Sequence, residues 1–171
     1  LIINSPNNPC GSVYSKQDLE QISNLVIKNN IFVISDEIYE KLIYDGKEHV
    51  SIVSNKNMPE RSLIINGVSK SFAMTGWRIG FAAGPKELIT AMTNFQSHST
   101  SNPNSIAQKA SLEAFSNPLK NDNMEKMANE FLRRRNYMVQ RINSINNISC
   151  CLPMGAFYIF MNISGTFNKQ C

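Results

Sequence analysis

Three short apolar runs, each ending abruptly in polar residues, restrict this chain more than any other feature. They are Leu1-Ile2-Ile3, Ile31-Phe32-Val33-Ile34 and Leu63-Ile64-Ile65. A run that is apolar throughout, without alternation, suits a parallel strand covered on both faces. Between the first two runs, Ser15 and Asp18 mark a helix start, with Ser15 as the cap. Leu19, Ile22 and Val26 then recur at helical spacing, and Asn29-Asn30 close the helix. Strand, helix, strand over this length is a βαβ unit with a right-handed crossover. Asn8 lies beyond the first strand, Asp36 beyond the second and Lys70 beyond the third. Ligands of open α/β sheets bind outside the carboxyl ends of the strands, so these three residues are expected to meet in one crevice.

The remaining segments read as follows. Glu40 to Arg61 is an irregular, polar excursion with a short Leu42-Ile43-Tyr44 run. Ile79 to Ala83 is a second short apolar run. A helix starts at Gly84-Pro85-Lys86-Glu87 and reaches about Gln96, and Ser97 to Pro103 is a polar loop. Asn104 or Ser105 caps the next helix, which Asn117-Pro118 breaks. A long helix runs from about Asp122 to Ile145, with Met124, Met127, Phe131, Met138, Ile142 and Ile145 as its apolar stripe. Arg133-Arg134-Arg135 interrupts that stripe and reads as a solvated helix face, because no aromatic residues interleave with it as in a nucleic-acid surface. Ser149 to Leu152 and Phe157 to Met161 read as two strands around Pro153-Met154-Gly155-Ala156. A boundary near Asn121 divides a larger domain, 1–121, from a linking helix and the start of a smaller domain, 122–171.

Of 171 residues, 42% are hydrophobic and 18% charged, the balance of a globular chain with a sizeable core. The net charge of +4 is a mild excess that points to no nucleic-acid partner. No apolar run approaches the roughly 20 residues of a membrane span, so no membrane partner is expected. Cys10, Cys150, Cys151 and Cys171 include no C-x-x-C pair, and a reduced, cytoplasmic compartment fits them best. His49 and His98 are far apart in sequence and read as surface or satisfied histidines, so no metal site is expected. The chain begins inside an apolar run and ends soon after a strand-like one, the pattern of a fragment.

The stretch Gly67-Val68-Ser69-Lys70-Ser71-Phe72-Ala73-Met74-Thr75-Gly76-Trp77-Arg78-Ile79-Gly80 carries the chemistry. It sets one lysine among small residues, which let a backbone come close to a ligand. Eight positions on it places an arginine. Such a lysine is suited to forming a Schiff base, and the arginine's permanently charged fork to gripping a phosphate. Trp77 beside it reads as a packing anchor. Asp36, a charge at the end of an apolar strand, needs either a cationic partner or a turn to cap. Other motifs fail: the glycines around Lys70 are wrong for a P-loop, a Ser-x-x-Lys site would need serine at Gly67, and no G-x-G-x-x-G is present.

The Lys70 stretch resembles the cofactor-lysine motif of the class I aminotransferases, the aspartate aminotransferase group. Asp36-Glu37-Ile38-Tyr39 resembles that family's D-x-x-Y element, and Asn8-Pro9-Cys10-Gly11 its N-P-[TS]-G turn. The resemblance implies pyridoxal 5′-phosphate as cofactor, with Lys70 as the Schiff-base lysine and Arg78 on the phosphate. It implies Asp36 at the pyridine nitrogen, and Tyr39 and Asn8 at the phenolate oxygen, Asn8 also reaching the substrate carboxylate. Glu37 receives no role. Two positions depart from the pattern: Gly67 stands where many members carry a phosphate-binding serine, and Cys10 where Thr or Ser is usual. Ser97 to Pro103 and Pro153-Met154-Gly155-Ala156-Phe157-Tyr158 resemble bacterial aspartate aminotransferases, some of which also accept prephenate.

The fold implied is α/β, a mainly parallel sheet with flanking helices, followed by the start of a smaller α+β domain. The implied activity is transfer of an amino group between an amino acid, aspartate above all, and a 2-oxo acid, by a homodimer when full length. A front segment with phosphate-loop donors and a late carboxylate-binding arginine, both usual in the family, do not appear here. Residues 1–171 alone are therefore expected to bind cofactor weakly and not to turn over. Two other readings of the same fold are a β-lyase and a transcription regulator with an aminotransferase-like domain.

Overall fold

The computed structural model describes residues 1–167; Cys171 lies outside the described residues. Strand β1 (Ile2–Asn4) leads through helix α1 (Lys16–Lys28) to β2 (Val33–Asp36), and β3 (Ser62–Gly67) follows. The three strands pair side by side in parallel. A fourth, β4 (Gly80–Ala83), returns antiparallel beside β3, so the sheet is mainly parallel. The register sets Asn4 opposite Asp36 and Asp36 opposite Ile65, which aligns the carboxyl ends of β1 and β2, with β3 running two residues further.

Helix α1 forms where its signals stand. Ser15 Oγ accepts from the Asp18 N–H while Asp18 accepts from the Ser15 N–H, a reciprocal cap of two otherwise orphan donors. Its apolar face sets Leu19 and Val26 against Ile3 of β1 and Val33 of β2, with Ile52 and Met58 completing the cluster. Each such side chain removed from water stabilises the fold by about 1.5–3 kcal/mol. The segment from Glu40 to Arg61 is thus less polar in space than in sequence: Leu42, Tyr44, Ile52 and Met58 are all buried.

Strand β2 is shifted from its expected place. It covers 33–36, while Ile31 and Phe32 are 38% and 42% exposed. Asn30 takes a left-handed conformation and the Ile31 N–H closes back on the Val26 carbonyl, so these two residues are spent in the exit from α1.

Helix α2 (Val68–Ser71) is one short turn after β3. Helix α3 (Lys86–Ser99) runs three residues beyond the expected end at Gln96 into what reads as a loop, and it buries none of its residues. Helix α4 (Ser105–Ser116) is capped by the Asn104 side chain. Helix α5 (Lys120–Asn143) begins two residues early and turns only part of its expected stripe inward, since Met138 and Ile145 are largely exposed. The late strands are two residues each, β5 (Ser149–Cys150) and β6 (Met161–Asn162). Residues 157–160 are not in a strand, because the preceding segment is held elsewhere.

That segment, 153–156, lies across the turn after β1 and the loop after β2. The N–H groups of Met154 and Gly155 donate to the Gly11 carbonyl at 2.8 and 3.0 Å, and the Ala156 N–H donates to the Leu42 carbonyl. Gly11 has φ +69°, and a Cβ there would lie 2.4 Å from Pro153 Cβ, so glycine is needed on both counts.

Arg135 corrects the reading of the triple-arginine run. Arg133 and Arg134 are exposed and pair with Glu130, but the Arg135 side chain is only 6% exposed. Its two terminal nitrogens donate to both Asp45 carboxylate oxygens at 2.7 and 2.8 Å, and one donates to the Pro153 carbonyl. Its guanidinium lies 5.0 Å from the Tyr44 ring centroid. One side chain thereby ties α5 to both crossing segments. Arg135→Ala is expected to destabilise the protein by about 2–4 kcal/mol, read as a lower urea midpoint at constant slope. The bond from Arg135 holds the Asp45 carboxyl below its ordinary value. The contribution of the pair is therefore complete above about pH 4, the unfolded value, and lost as pH falls through the lower folded value, so the difference from Arg135→Ala should narrow in acid.

Candidate active site

The carboxyl ends of β2 and β3 lead directly to three of the predicted residues, Asp36 at the end of β2, Tyr39 just after it and Lys70 after β3. Asp36 is the last residue of β2 and is half-buried. Its carbonyl accepts from the Ser5 N–H and the Asn4 side-chain amide, both at 3.1 Å, and its Oδ1 accepts from the Ile38 N–H. The strand end is thus locked from the β1 side, with Oδ2 left without a partner among the described residues.

Tyr39 follows three residues later and is buried at 4% exposure. Its ring meets the edges of Phe157 and Tyr158, with centroids 5.4 and 5.8 Å away. Its hydroxyl shares a 2.8 Å hydrogen bond with the Tyr158 hydroxyl. Burial, then this bond, and then the neighbouring Asp36 charge push the Tyr39 phenol up from its ordinary value, so it remains protonated and can donate.

Lys70 sits in α2, five residues past Ile65 of β3. Its Nζ lies 5.5 Å from the Tyr39 ring centroid and 5.1 Å from that of Phe157, and it forms no ion pair among the described residues. A lysine side chain beside two rings and without a carboxylate partner among the described residues is open to a carbonyl ligand. Lys70 and Asp36 thus both neighbour Tyr39.

Arg78 and Asn8 are placed differently. Arg78 is exposed, has left-handed backbone (φ 56°) and donates from one terminal nitrogen to the Thr75 carbonyl at 2.9 Å, its other donors having no partner among the described residues. Asn8 is exposed, and its N–H donates to Asn4 Oδ1. Trp77 is 45% exposed and does not act as the expected packing anchor among the described residues. At Gly67, a Cβ would lie 2.7 Å from the Ile79 carbonyl oxygen and 3.1 Å from Gly80 Cα. The departure from serine thus matches the tight approach of β4.

Sequence reasoning passed over four residues that the structure draws into this region. Phe157 and Tyr158 cover Lys70 and Tyr39 from far along the chain; their only signal was the resemblance of the Pro153–Tyr158 segment. Glu37 is 4% exposed and accepts from Ser35 Oγ, Ser51 Oγ and His49 Nε2. An acid directly after an apolar strand was a signal for Glu37, but nothing in the sequence paired it with His49.

A family model described as aminotransferase class I and II matches residues 1–170. The chain belongs to this family. The chain is 45% identical over 170 residues to an aspartate aminotransferase of Bacillus sp. (strain YM-2), covering 99% of the chain and 43% of that relative. It is 45% identical to an aspartate/prephenate aminotransferase of Thermus thermophilus, covering 96% of the chain and 42% of the relative. Among solved structures, the aspartate aminotransferase of Rhizobium meliloti superposes with a TM-score of 0.92 at 40% identity, over 96% of this chain and 41% of that one. The chain thus spans about two-fifths of the length of the relatives it matches.

Pyridoxal phosphate is the cofactor of class I aminotransferases. The donor types here fit it: among the described residues, a lysine amine without an ion pair, a protonated phenol, a carboxylate with one unpartnered oxygen, and an arginine with donors to spare. Because β4 leaves no room at position 67, Gly67→Ser is expected to cost about 1–3 kcal/mol of stability, measured by denaturant unfolding.

Proposed function

We propose that the chain is part of a pyridoxal-phosphate-dependent aminotransferase that moves an amino group between aspartate and a 2-oxo acid. The observation that carries this reading is the Lys70 amine, free of any carboxylate among the described residues and laid against Tyr39 and Phe157 at the edge where Asp36 ends. Relatives named aspartate aminotransferase, at 40–47% identity, support aspartate as donor.

The bound cofactor would supply an electron sink that makes the substrate α-proton acidic. Lys70 would hold the cofactor through its amine and, as a free amine, would take the substrate α-proton as a general base. The Asp36 oxygen without a partner among the described residues would hold a proton on the ring nitrogen. Tyr39, kept protonated by burial and by its neighbours, would donate to the phenolate oxygen. Arg78 would hold the phosphate, and Asn8 would supply a further bond at the phenolate oxygen and the substrate carboxylate. Tyr39 and Phe157 lie against the amine.

The acting unit is a homodimer of the full-length protein. Helix α3 buries none of its residues and leaves Phe95 79% exposed, a face open to the rest of the full-length chain or to a second subunit. The proposed boundary near residue 121 makes α5 the link between a cofactor-binding domain and a second domain that begins with the β5–β6 pair. A cytoplasmic setting is supported by Cys10, Cys150 and Cys151, all free. No helix among the described residues is long and apolar enough to cross a membrane.

The full-length protein, loaded with pyridoxal phosphate, reduced with borohydride and digested, should carry the pyridoxyl group on the Lys70 peptide. Lys70→Ala should abolish this label and lower turnover by at least about 100-fold. A folded protein with Lys70 unmodified would overturn the reading. Product analysis separates the reactions: transamination of aspartate releases a keto acid without ammonia, whereas β-elimination releases ammonia as well.

A further inference from the structure

A second polar cluster lies directly behind the proposed site and takes no part in the roles above. Glu37 and Asp36 are consecutive at the end of β2, so their side chains leave the strand on opposite faces. Asp36 faces the site. Glu37 faces a buried pocket of donors: Ser35 Oγ at 3.0 Å and Ser51 Oγ at 2.7 Å on Oε1, and His49 Nε2 at 2.7 Å on Oε2. Its side chain is 5% exposed and that of His49 13%. A buried carboxylate is tolerated only when its lone pairs are filled, and here three side chains fill them. A carboxylate oxygen only accepts, so His49 donates to it from Nε2, and His49 Nδ1 is buried with no partner among the described residues.

The cluster holds the segment that carries both Asp36 and Tyr39. The Glu37 N–H donates to the Ile65 carbonyl of β3 at 2.9 Å, and its carbonyl accepts from the Glu40 N–H. Backbone bonds to β1 and β3 therefore fix the peptide between Asp36 and Glu37, and side-chain bonds to residues 49 and 51 anchor the turn from behind. No other titratable side chain bonds to Glu37 among the described residues. Packing alone would not require an acid here; three convergent donors do.

We propose that Glu37 is a positioning residue for the cofactor: its buried bonds to His49, Ser51 and Ser35 hold the 36–39 turn so that Asp36 and Tyr39 meet the cofactor ring together. This rests on the cofactor site proposed above. Groups that orient binding residues from behind typically change affinity 10–100-fold in metal sites, and the same logic of held geometry applies here.

The test uses the full-length protein and pyridoxal phosphate itself. Its dissociation constant and the visible circular dichroism of the bound cofactor, which reports how the ring is held, are measured for wild type, Glu37→Gln, His49→Leu, His49→Gln and Val26→Ala. The last is a core change on helix α1, in the cluster against β1 and β2 and outside the Glu37 network. Glu37→Gln and His49→Leu should each raise the dissociation constant about tenfold and weaken the visible signal. His49→Gln, which restores a donor to Glu37, should recover most of both. Val26→Ala should lower the melting temperature and leave the cofactor readouts unchanged. Wild-type affinity and dichroism in Glu37→Gln and His49→Leu would overturn the proposal, as would equal loss in His49→Gln and His49→Leu, or in Val26→Ala. A wild-type protein that does not bind the cofactor would remove the functional reading and this inference with it. Binding by wild type with unaffected variants would remove the inference alone.

Discussion

The in-register pairing of three parallel strands is the constraint on which the rest of the molecule depends. Backbone hydrogen bonds set Asn4, Asp36 and Ile65 side by side, and every chemically distinctive residue departs from that line. A shift of one residue in β2 would exchange the faces of Asp36 and Glu37, turning the free carboxylate into the buried donor pocket and the buried one into the site. Register is held by the hydrophobic cluster of Ile3, Val33, Leu19 and Val26, which tolerates only one facing of β2. Packing on one side of the sheet thereby decides chemistry at its edge.

Two further layers act on that edge. The segment 153–158 is strapped across it by backbone bonds to Gly11 and Leu42, and the strap delivers Phe157 and Tyr158 onto Tyr39 and Lys70. Arg135 locks the strap from above by joining α5 to Asp45 and Pro153. An arginine suits this task because its planar fork meets a carboxylate with two bonds and still reaches a carbonyl. The covering of the lysine therefore depends on contacts between residues about 90 to 145 positions apart, while the lysine itself is presented by a local strand-to-helix turn. These contacts give the early and late parts of the chain a shared stake in the geometry of the candidate site.

Local signals carried far in this chain because their physics is local. The capping pair Ser15 and Asp18, the Asn104 cap and the Asn29-Asn30 stop each satisfy backbone groups within one turn, and each stands where its sequence pattern places it. The apolar runs located the parallel strands within two residues, and the polar residues after them located Asp36 and Lys70. Ile31 and Phe32 were misplaced because a helix exit and a buried strand have the same apolar composition, and only the hydrogen bond from Ile31 to Val26 separates them. Arg135 was misplaced because a basic run looks uniform in sequence, while helical geometry turns adjacent residues about 100° apart and buries one of the three.

The amino-acid sequence by itself determined the strand ends, the family and the residues available for cofactor chemistry, because strand edges, caps and a long motif are written in contiguous residues. Tertiary structure alone decided which residues surround them. It paired Glu37 with His49, set Tyr158 on Tyr39 and brought Phe157 over Lys70. It also showed why position 67 has no room for a side chain beside Ile79 and Gly80. Those relations arise from burial across long separations, where a side chain's partner is fixed by the path of the whole chain and not by its neighbours in sequence.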